Sequence, residues 1–185
     1  QFKSNTDTEV LLALYDLKKE NCLKDLDGMF AFAIWDELKQ ELFCARDRFG
    51  EKPFFFSYVD NKLFFASEMK ALFQIGAPKA KRIDRYYQYL MYGINEDPND
   101  RSSTFYESIY QIKPSHYFII SKNEKPIQKK YWDVDLSHQI YIPFAEAQIK
   151  FRELFEDSIK KRLRSDVPVG SSLSGGLDSS AIVLL

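Results

Sequence analysis

Ser174-Gly175-Gly176-Leu177-Asp178-Ser179-Ser180 stands between two apolar segments. Residues 167–173 before it read as a strand with Pro168 at an edge position. The apolar residues after it read as a helix. Strand, glycine-rich turn and helix is the opening unit of an α/β fold, and its geometry suits a phosphate. Glycine lets the backbone turn tightly and come close to an anion. The N–H groups at the start of the next helix point at that anion, and the helix dipole favours negative charge there. Ser174, Ser179 and Ser180 add hydroxyl donors. No Gly-Lys-Ser/Thr ending is present, so this is not a Walker-type loop. A loop without lysine suits a pyrophosphate whose charge is shared with a metal. Asp178 beside phosphates would be repelled unless magnesium lay between them, taking oxygen ligands from both. The same residues also describe a plain strand-to-helix turn in which Asp178 complements the helix dipole. Taken alone, they do not choose between the two readings.

Upstream of the loop, Pro143 is a good first-turn residue, and the helix it opens runs to about Leu163. Phe144, Ala147, Phe151, Leu154, Phe155 and Ile159 fall on one face of it. Arg164-Ser165-Asp166 closes that helix. Residues 133–142 lack periodicity and mark a domain boundary. Before the boundary, Thr6-Asp7-Thr8-Glu9 reads as a capping box for a helix over 8–19. Residues 21–28 read as a turn, with Cys22 a loop residue. Strands are expected at 29–35, 41–46, 53–58 and 62–66, with hairpins through 36–40 and through Asp60-Asn61. Asp47 lies between Arg46 and Arg48 and reads as a structural ion pair. Ser67 is expected to cap a helix over 68–74. Asp84 is expected to cap one over 85–92 that Gly93 ends. Further strands are expected at 109–112, 116–120 and 129–132. Several short antiparallel strands in succession predict an α+β fold with sheets on a shared core.

Composition narrows the function classes. In 185 residues, 26 basic and 27 acidic side chains leave a net charge of -1. A nucleic-acid partner favours a basic excess, so none is expected. No apolar run approaches the roughly 20 residues that span a bilayer, and no membrane partner is expected. The chain opens with a predominantly polar segment over 1–8, so no signal peptide is read there. Two cysteines, Cys22 and Cys44, are too few for a disulfide framework and suit a reducing cytoplasm. The chain opens without Met and stops inside the apolar run 182–185, and the expectation is an internal fragment. His116 and His138 have no ligand cluster at metal spacing. Residues 79–82 read as a small solvated basic run.

The loop, with Arg162-Leu163-Arg164-Ser165-Asp166-Val167-Pro168-Val169-Gly170 before it, resembles the pyrophosphate loop of asparagine synthetases, which are PP-loop ATPases. Further upstream, Asp7-Thr8-Glu9-Val10, Gly28-Met29-Phe30-Ala31-Phe32, Arg46-Asp47-Arg48-Phe49-Gly50-Glu51-Lys52-Pro53 and Ala66-Ser67-Glu68-Met69-Lys70-Ala71-Leu72 are similar to the family's glutaminase domain. That domain is a class II glutamine amidotransferase with the Ntn-hydrolase fold. The resemblance implies an αββα sandwich of antiparallel sheets over 1–136, followed over 143–185 by the first helix-strand-loop-helix of the ATP-binding domain. It implies that glutamine is hydrolysed to ammonia, which is transferred to aspartate activated by ATP as an acyl-adenylate, with AMP and pyrophosphate released.

The resemblance also assigns residues. Asp7 would bind the α-amino group of glutamine. Without the resemblance it reads as a first-turn acid in a capping box. Leu173 would touch the adenosine of ATP. Ser174, Gly175, Gly176, Asp178, Ser179 and Ser180 would hold its phosphates, with Asp178 a ligand of Mg2+. Met29 matches a residue near the ammonia path; by residue type it reads as core. At Glu51 many relatives are apolar, so the chain departs from the pattern there. No catalytic residue is expected in the chain, because the family's nucleophile is an N-terminal cysteine that this sequence lacks. Cys22 and Cys44 do not replace it, and Cys44 reads as a small core residue. The isolated chain is therefore expected to be inert. Homodimers occur in the family. Two alternatives stay open: a relative that amidates another carboxylate, such as a sugar acid, or closes a β-lactam ring; and a non-catalytic binding module of the same fold.

Overall fold

The computed structural model describes residues 2–4 and 6–185. They divide into two compact units, which meet in sequence between Val134 and Asp135.

The first unit opens with α1 (Asp7–Lys18) and a 3-10 turn (Lys19–Lys24). Strands β1 (Ala31–Asp36), β2 (Glu41–Arg46), β3 (Phe55–Val59) and β4 (Lys62–Ala66) follow, then α2 (Met69–Gln74) and α3 (Ile83–Tyr92). Strands β5 (Tyr110–Gln111), β6 (His116–Ser121) and β7 (Lys129–Lys130) complete it. The strands form two antiparallel sheets, ordered β1-β2-β6-β7 and β4-β3-β5. The expected α+β architecture is present.

Alternation along the strands explains the layers. Ala31, Ala33, Leu42, Cys44, Phe118 and Ile120 of the first sheet meet Phe54, Phe56 and Tyr58 of the second sheet's β3 region. The opposite residues of the first sheet, Phe32, Ile34, Phe43, Ala45, Tyr117 and Ile119, pack under Leu11, Leu14 and Tyr15 of α1. On the outer side of the second sheet, Phe55, Phe64 and Ala66 pack with Met69, Leu72 and Phe73 of α2. The order is therefore helix, sheet, sheet, helix. Because both faces of the first sheet are covered, its strands are apolar on both sides rather than on one. This burial accounts for much of the phenylalanine. The small Ala31 and Ala33 leave room for the opposing rings, where Phe56 meets Phe118 edge-on at 5.3 Å.

Two turns follow their residues closely. Asp60 and Asn61 both take positive φ, 51° and 59°, as the tight hairpin between β3 and β4 requires. Gly93 ends α3 in the left-handed region at φ 69°.

Five local readings need correction. Asp84 lies inside the first turn of α3, whose N-cap is Arg82, and no side chain caps that helix. Thr6 stands at the N-cap of α1 without a side-chain cap bond. Glu9 reaches past the cap instead and accepts the Lys3 and Ser4 backbone N–H groups at 2.8 and 2.7 Å. The chain enters α2 through Glu68, and no side chain caps that helix. The turn expected over 21–28 begins as the 3-10 turn, with Cys22 and Leu23 fully buried beneath α1. Met29, by type a core residue, is 46% exposed.

In the second unit, α4 (Phe144–Arg162) starts after Pro143, and α5 (Leu177–Leu184) follows the glycine turn. Neither helix contains a buried residue. Along α4, Lys150–Glu146, Arg152–Glu156 and Lys161–Asp157 pair at i,i+4 spacing, a weak support suited to an exposed helix. Residues 167–173 are irregular rather than the expected strand. A strand needs a hydrogen-bonded neighbour, and no sheet strand lies within 135–185 among the described residues. Among the described residues, no helix is long and apolar enough to cross a membrane.

Candidate functional site

The sequence-predicted residues fall into two groups, Asp7 in the first unit and residues 173–180 in the second. Asp7 is the first residue of α1 and is exposed. The segment before it is folded by Glu9. Besides the two N–H groups, its carboxylate accepts the Ser4 hydroxyl at 2.6 Å. That hydroxyl bond, followed by the Lys3 and Ser4 backbone bonds, holds the Glu9 carboxyl below its usual range. Glu9 is thus engaged in shaping the backbone, and the Asp7 carboxylate is left at the helix N-terminus. The far end of α1 is anchored by Tyr15, which stacks on Phe43 at 5.3 Å and donates to Asp36 at 3.2 Å.

In the loop, Gly175 takes φ 79°, a conformation L side chains avoid. A Cβ built there meets nothing within 4 Å, so the backbone rather than crowding requires glycine. Ser174 Oγ lies 2.9 Å from Ser179 Oγ, and Ser179 Oγ also donates to the Gly176 carbonyl at 3.1 Å. The loop thus closes on the N-terminus of α5, where the first amides have no intrahelical acceptor. The Ser180 N–H makes the first helical bond, to the Gly176 carbonyl at 3.1 Å. Asp178 is exposed in the first turn, and Leu173 is 60% exposed. Among the described residues, no group of three or more His, Cys, Asp or Glu side chains converges as a metal site.

One constellation was not legible beforehand. Asp47 makes no simple ion pair; its carboxylate organises the turn after β2. It accepts the backbone N–H groups of Phe49, Glu51 and Lys52 at 3.1, 2.9 and 2.9 Å. The buried Arg46 beside it donates to the carbonyls of Gly50, Lys52 and Ile112 at 2.5, 2.6 and 2.7 Å. Burial pulls its guanidinium below the ordinary range, while the Asp47 charge opposes that shift. Gly50 sits at φ 70°, and a Cβ there would lie 2.8 Å from Pro114 Cγ. The signal available in sequence was the packed run Arg46–Pro53 itself; the partners of the Asp47 carboxylate lie within that run, while Arg46 also reaches Gln111 and Ile112, 65 and 66 residues away.

The two thiols are removed from chemistry by burial. Desolvation pushes Cys22 up to about 11, and Cys44 is pushed up by the same cause. As expected, Cys44 is core, fully buried in β2.

The pattern of the glutamine amidotransferase domain matches residues 1–132. The chain belongs to that family. The asparagine synthase pattern matches residues 150–185, after the amidotransferase stretch. Among its relatives, the glutamine-hydrolyzing asparagine synthetase 3 of Bacillus subtilis is 40% identical over the whole chain. A putative glutamine-hydrolyzing asparagine synthetase 2 of Methanocaldococcus jannaschii is 35% identical over 98% of it. Amidase chry2 of Gibberella zeae is 33% identical, also over 98%. The chain spans 30%, 35% and 26% of these proteins' own lengths. This amidotransferase-family chain therefore corresponds to a minority of each relative.

Proposed function

We propose that the chain forms part of a glutamine-dependent asparagine synthetase. Residues 1–136 contribute an Ntn-hydrolase-type amidotransferase domain, and residues 143–185 begin the ATP-binding domain. The observation that carries this reading is the loop at α5, where Gly175 in the left-handed region and three serines meet a helix N-terminus. Its oxygen and N–H donors fit the phosphates of ATP. Asp178 supplies one hard oxygen ligand, which suits Mg2+ because that ion binds through one or two carboxylates plus substrate phosphates. Bound there, the metal would neutralise phosphate charge. Asp7 would take the α-amino group of glutamine at the exposed N-terminus of α1. Neither buried thiol suits nucleophilic attack on glutamine, so the chain's own residues bind rather than cleave. Ammonia freed from glutamine would amidate aspartate activated by adenylation. We place this chemistry in the cytoplasm and the intact enzyme as a homodimer.

The test is ATP–pyrophosphate exchange in the intact enzyme that carries this chain. Exchange dependent on aspartate is expected. The match to an amidase favours one second reading, a related enzyme acting on another carboxylate. Exchange with a different carboxylic acid and not with aspartate would establish that reading. No exchange with any carboxylic acid would leave only a binding module.

A further inference from the structure

A cleft of about 430 Å3, wholly within the first unit, collects cationic side chains in a chain whose total charge is -1. Arg48, Arg101, Lys113, His116 and Lys130 line it, with Trp132 as an aromatic wall. Among the described residues, Asp133 is its one acidic lining side chain. Asp27, Glu96 and Asp100, the other carboxylates that pair with these cations, are not part of the lining. They pair with Arg48, Arg101 and Lys113 at 3.8, 3.1 and 3.4 Å. Lys130 pairs with Asp133 at 2.5 Å. Part-exposed pairs of this kind are weak, and an anion of higher charge can compete for the cations.

The cleft is built on rigid parts. Ser115 takes φ 56° and is held by its N–H to the Asp47 carbonyl at 2.8 Å and by the Tyr131 N–H to its own carbonyl at 2.9 Å. The His116 Nδ1 lies 2.7 Å from the Pro114 carbonyl, which can only accept, so Nδ1 carries the proton. When the ring is charged, Nε2 is its second donor. Trp132 meets Phe49 edge-on at 5.5 Å, and the Arg48 guanidinium lies 5.7 Å from its ring.

We propose that this cleft binds a phosphate-class oxyanion with two or more negative charges, either inorganic phosphate or pyrophosphate. Its lining contains no residue of the loop 173–180, and it stands or falls without the ATP reading. Arg101, Lys113, Lys130 and His116 of the lining would supply charge-assisted hydrogen bonds to it.

The chain provides its own reporters, because it contains two histidines. His116 lines the cleft, whereas His138 lies in the second unit with its side chain 91% exposed. The experiment is proton NMR of the histidine rings in the 185-residue chain, titrated with sodium phosphate, with sodium pyrophosphate, and with sodium chloride at matched ionic strength. Saturable shifts of the His116 signals are expected, with His138 unmoved. Burial first, then Lys113 and Lys130, holds His116 below the usual imidazole range, while its bond to the Pro114 carbonyl and, less, Asp133 oppose this. A bound anion is expected to raise its titration midpoint. Saturation at lower concentration by pyrophosphate identifies that ion as the ligand; equal or better response to phosphate identifies phosphate. The pair of substitutions Arg101→Gln and Lys113→Gln is expected to weaken binding about tenfold or more, since two charge-assisted bonds are lost. If that pair alters the circular dichroism, each single substitution makes the same comparison. An identical chloride response, or undiminished binding after substitution, overturns the proposal.

Discussion

The Arg46 guanidinium, on the last residue of β2, donates to the Ile112 carbonyl at 2.7 Å, just past the end of β5. One side chain thereby joins the two sheets. It also holds the turn between them, through the Gly50 and Lys52 carbonyls.

Replacing Arg46 with Met is expected to destabilise the chain by about 3 kcal/mol or more. Three carbonyl acceptors lose their donor at once, and each unsatisfied buried group costs about 1–3 kcal/mol. Removing a buried cation relieves some desolvation, but less than the orphaned carbonyls cost. Lys at this position should rescue little, because it lacks the planar fork that reaches several acceptors. Urea denaturation of the three chains measures both effects.

Gly50→Ala should cost about 1–3 kcal/mol, since it combines a strained left-handed φ with a methyl 2.8 Å from Pro114 Cγ. Gly170→Ala, where no atom lies within 4 Å, serves as the near-neutral control. Adding Pro114→Ala should relieve the contact with Pro114, but neither the backbone strain nor the 3.1 and 3.2 Å contacts of the new Cβ with the Arg46 guanidinium. Non-additivity in that double-mutant cycle measures the Pro114 contact.

Alkaline stability should depend on Tyr15. Burial, then the charge of Asp36, raises its hydroxyl from the ordinary 10.0 to about 12. A raised folded-state value means the folded form prefers the protonated phenol. Its stabilising contribution is complete below pH 10 and is lost as pH rises from about 10 towards 12. Stability followed by circular dichroism should fall across that window, and Tyr15→Phe should make the fall shallower.

Neither thiol should react with a disulfide reagent in the folded chain at pH 8. Both are fully buried, and Cys22 is pushed up to about 11. Thiol titration should give two rapid equivalents only after denaturation. A fast equivalent in the native chain would contradict the burial of Cys22 under α1.

Asp7→Asn and Asp178→Asn should separate the two proposed substrate sites in the intact enzyme. The first should raise the KM for glutamine while leaving ammonia-driven synthesis unchanged. The second should weaken magnesium-dependent ATP–pyrophosphate exchange about tenfold or more, as expected for a lost charged ligand. Loss of ammonia-driven synthesis in Asp7→Asn would refute its assignment to glutamine.

The turn chemistry, the alternation of β1 and β2 and the glycine loop were legible because each depends on neighbours within a few residues. Asp60 and Asn61 tolerate positive φ through their own short polar side chains. Cys22 misled because its sequence surroundings, Leu23 apart, are polar or charged, while what buries it is Tyr15 and the sheet beneath. Residues 167–173 misled in the opposite way. Their pattern suits a strand, but a strand exists only where another pairs with it.

Residues alone determined that the chain holds an antiparallel β-rich portion, a break near 133–142, and a glycine turn before a helix. These follow from side-chain period and from the φ angles that particular residues allow. Tertiary structure decided that both faces of the first sheet are covered and that Arg46 closes the gap between the sheets. The physical reason is distance along the chain. Arg46 meets Gln111 and Ile112 across 65 and 66 residues, and only folding brings such partners within hydrogen-bond reach.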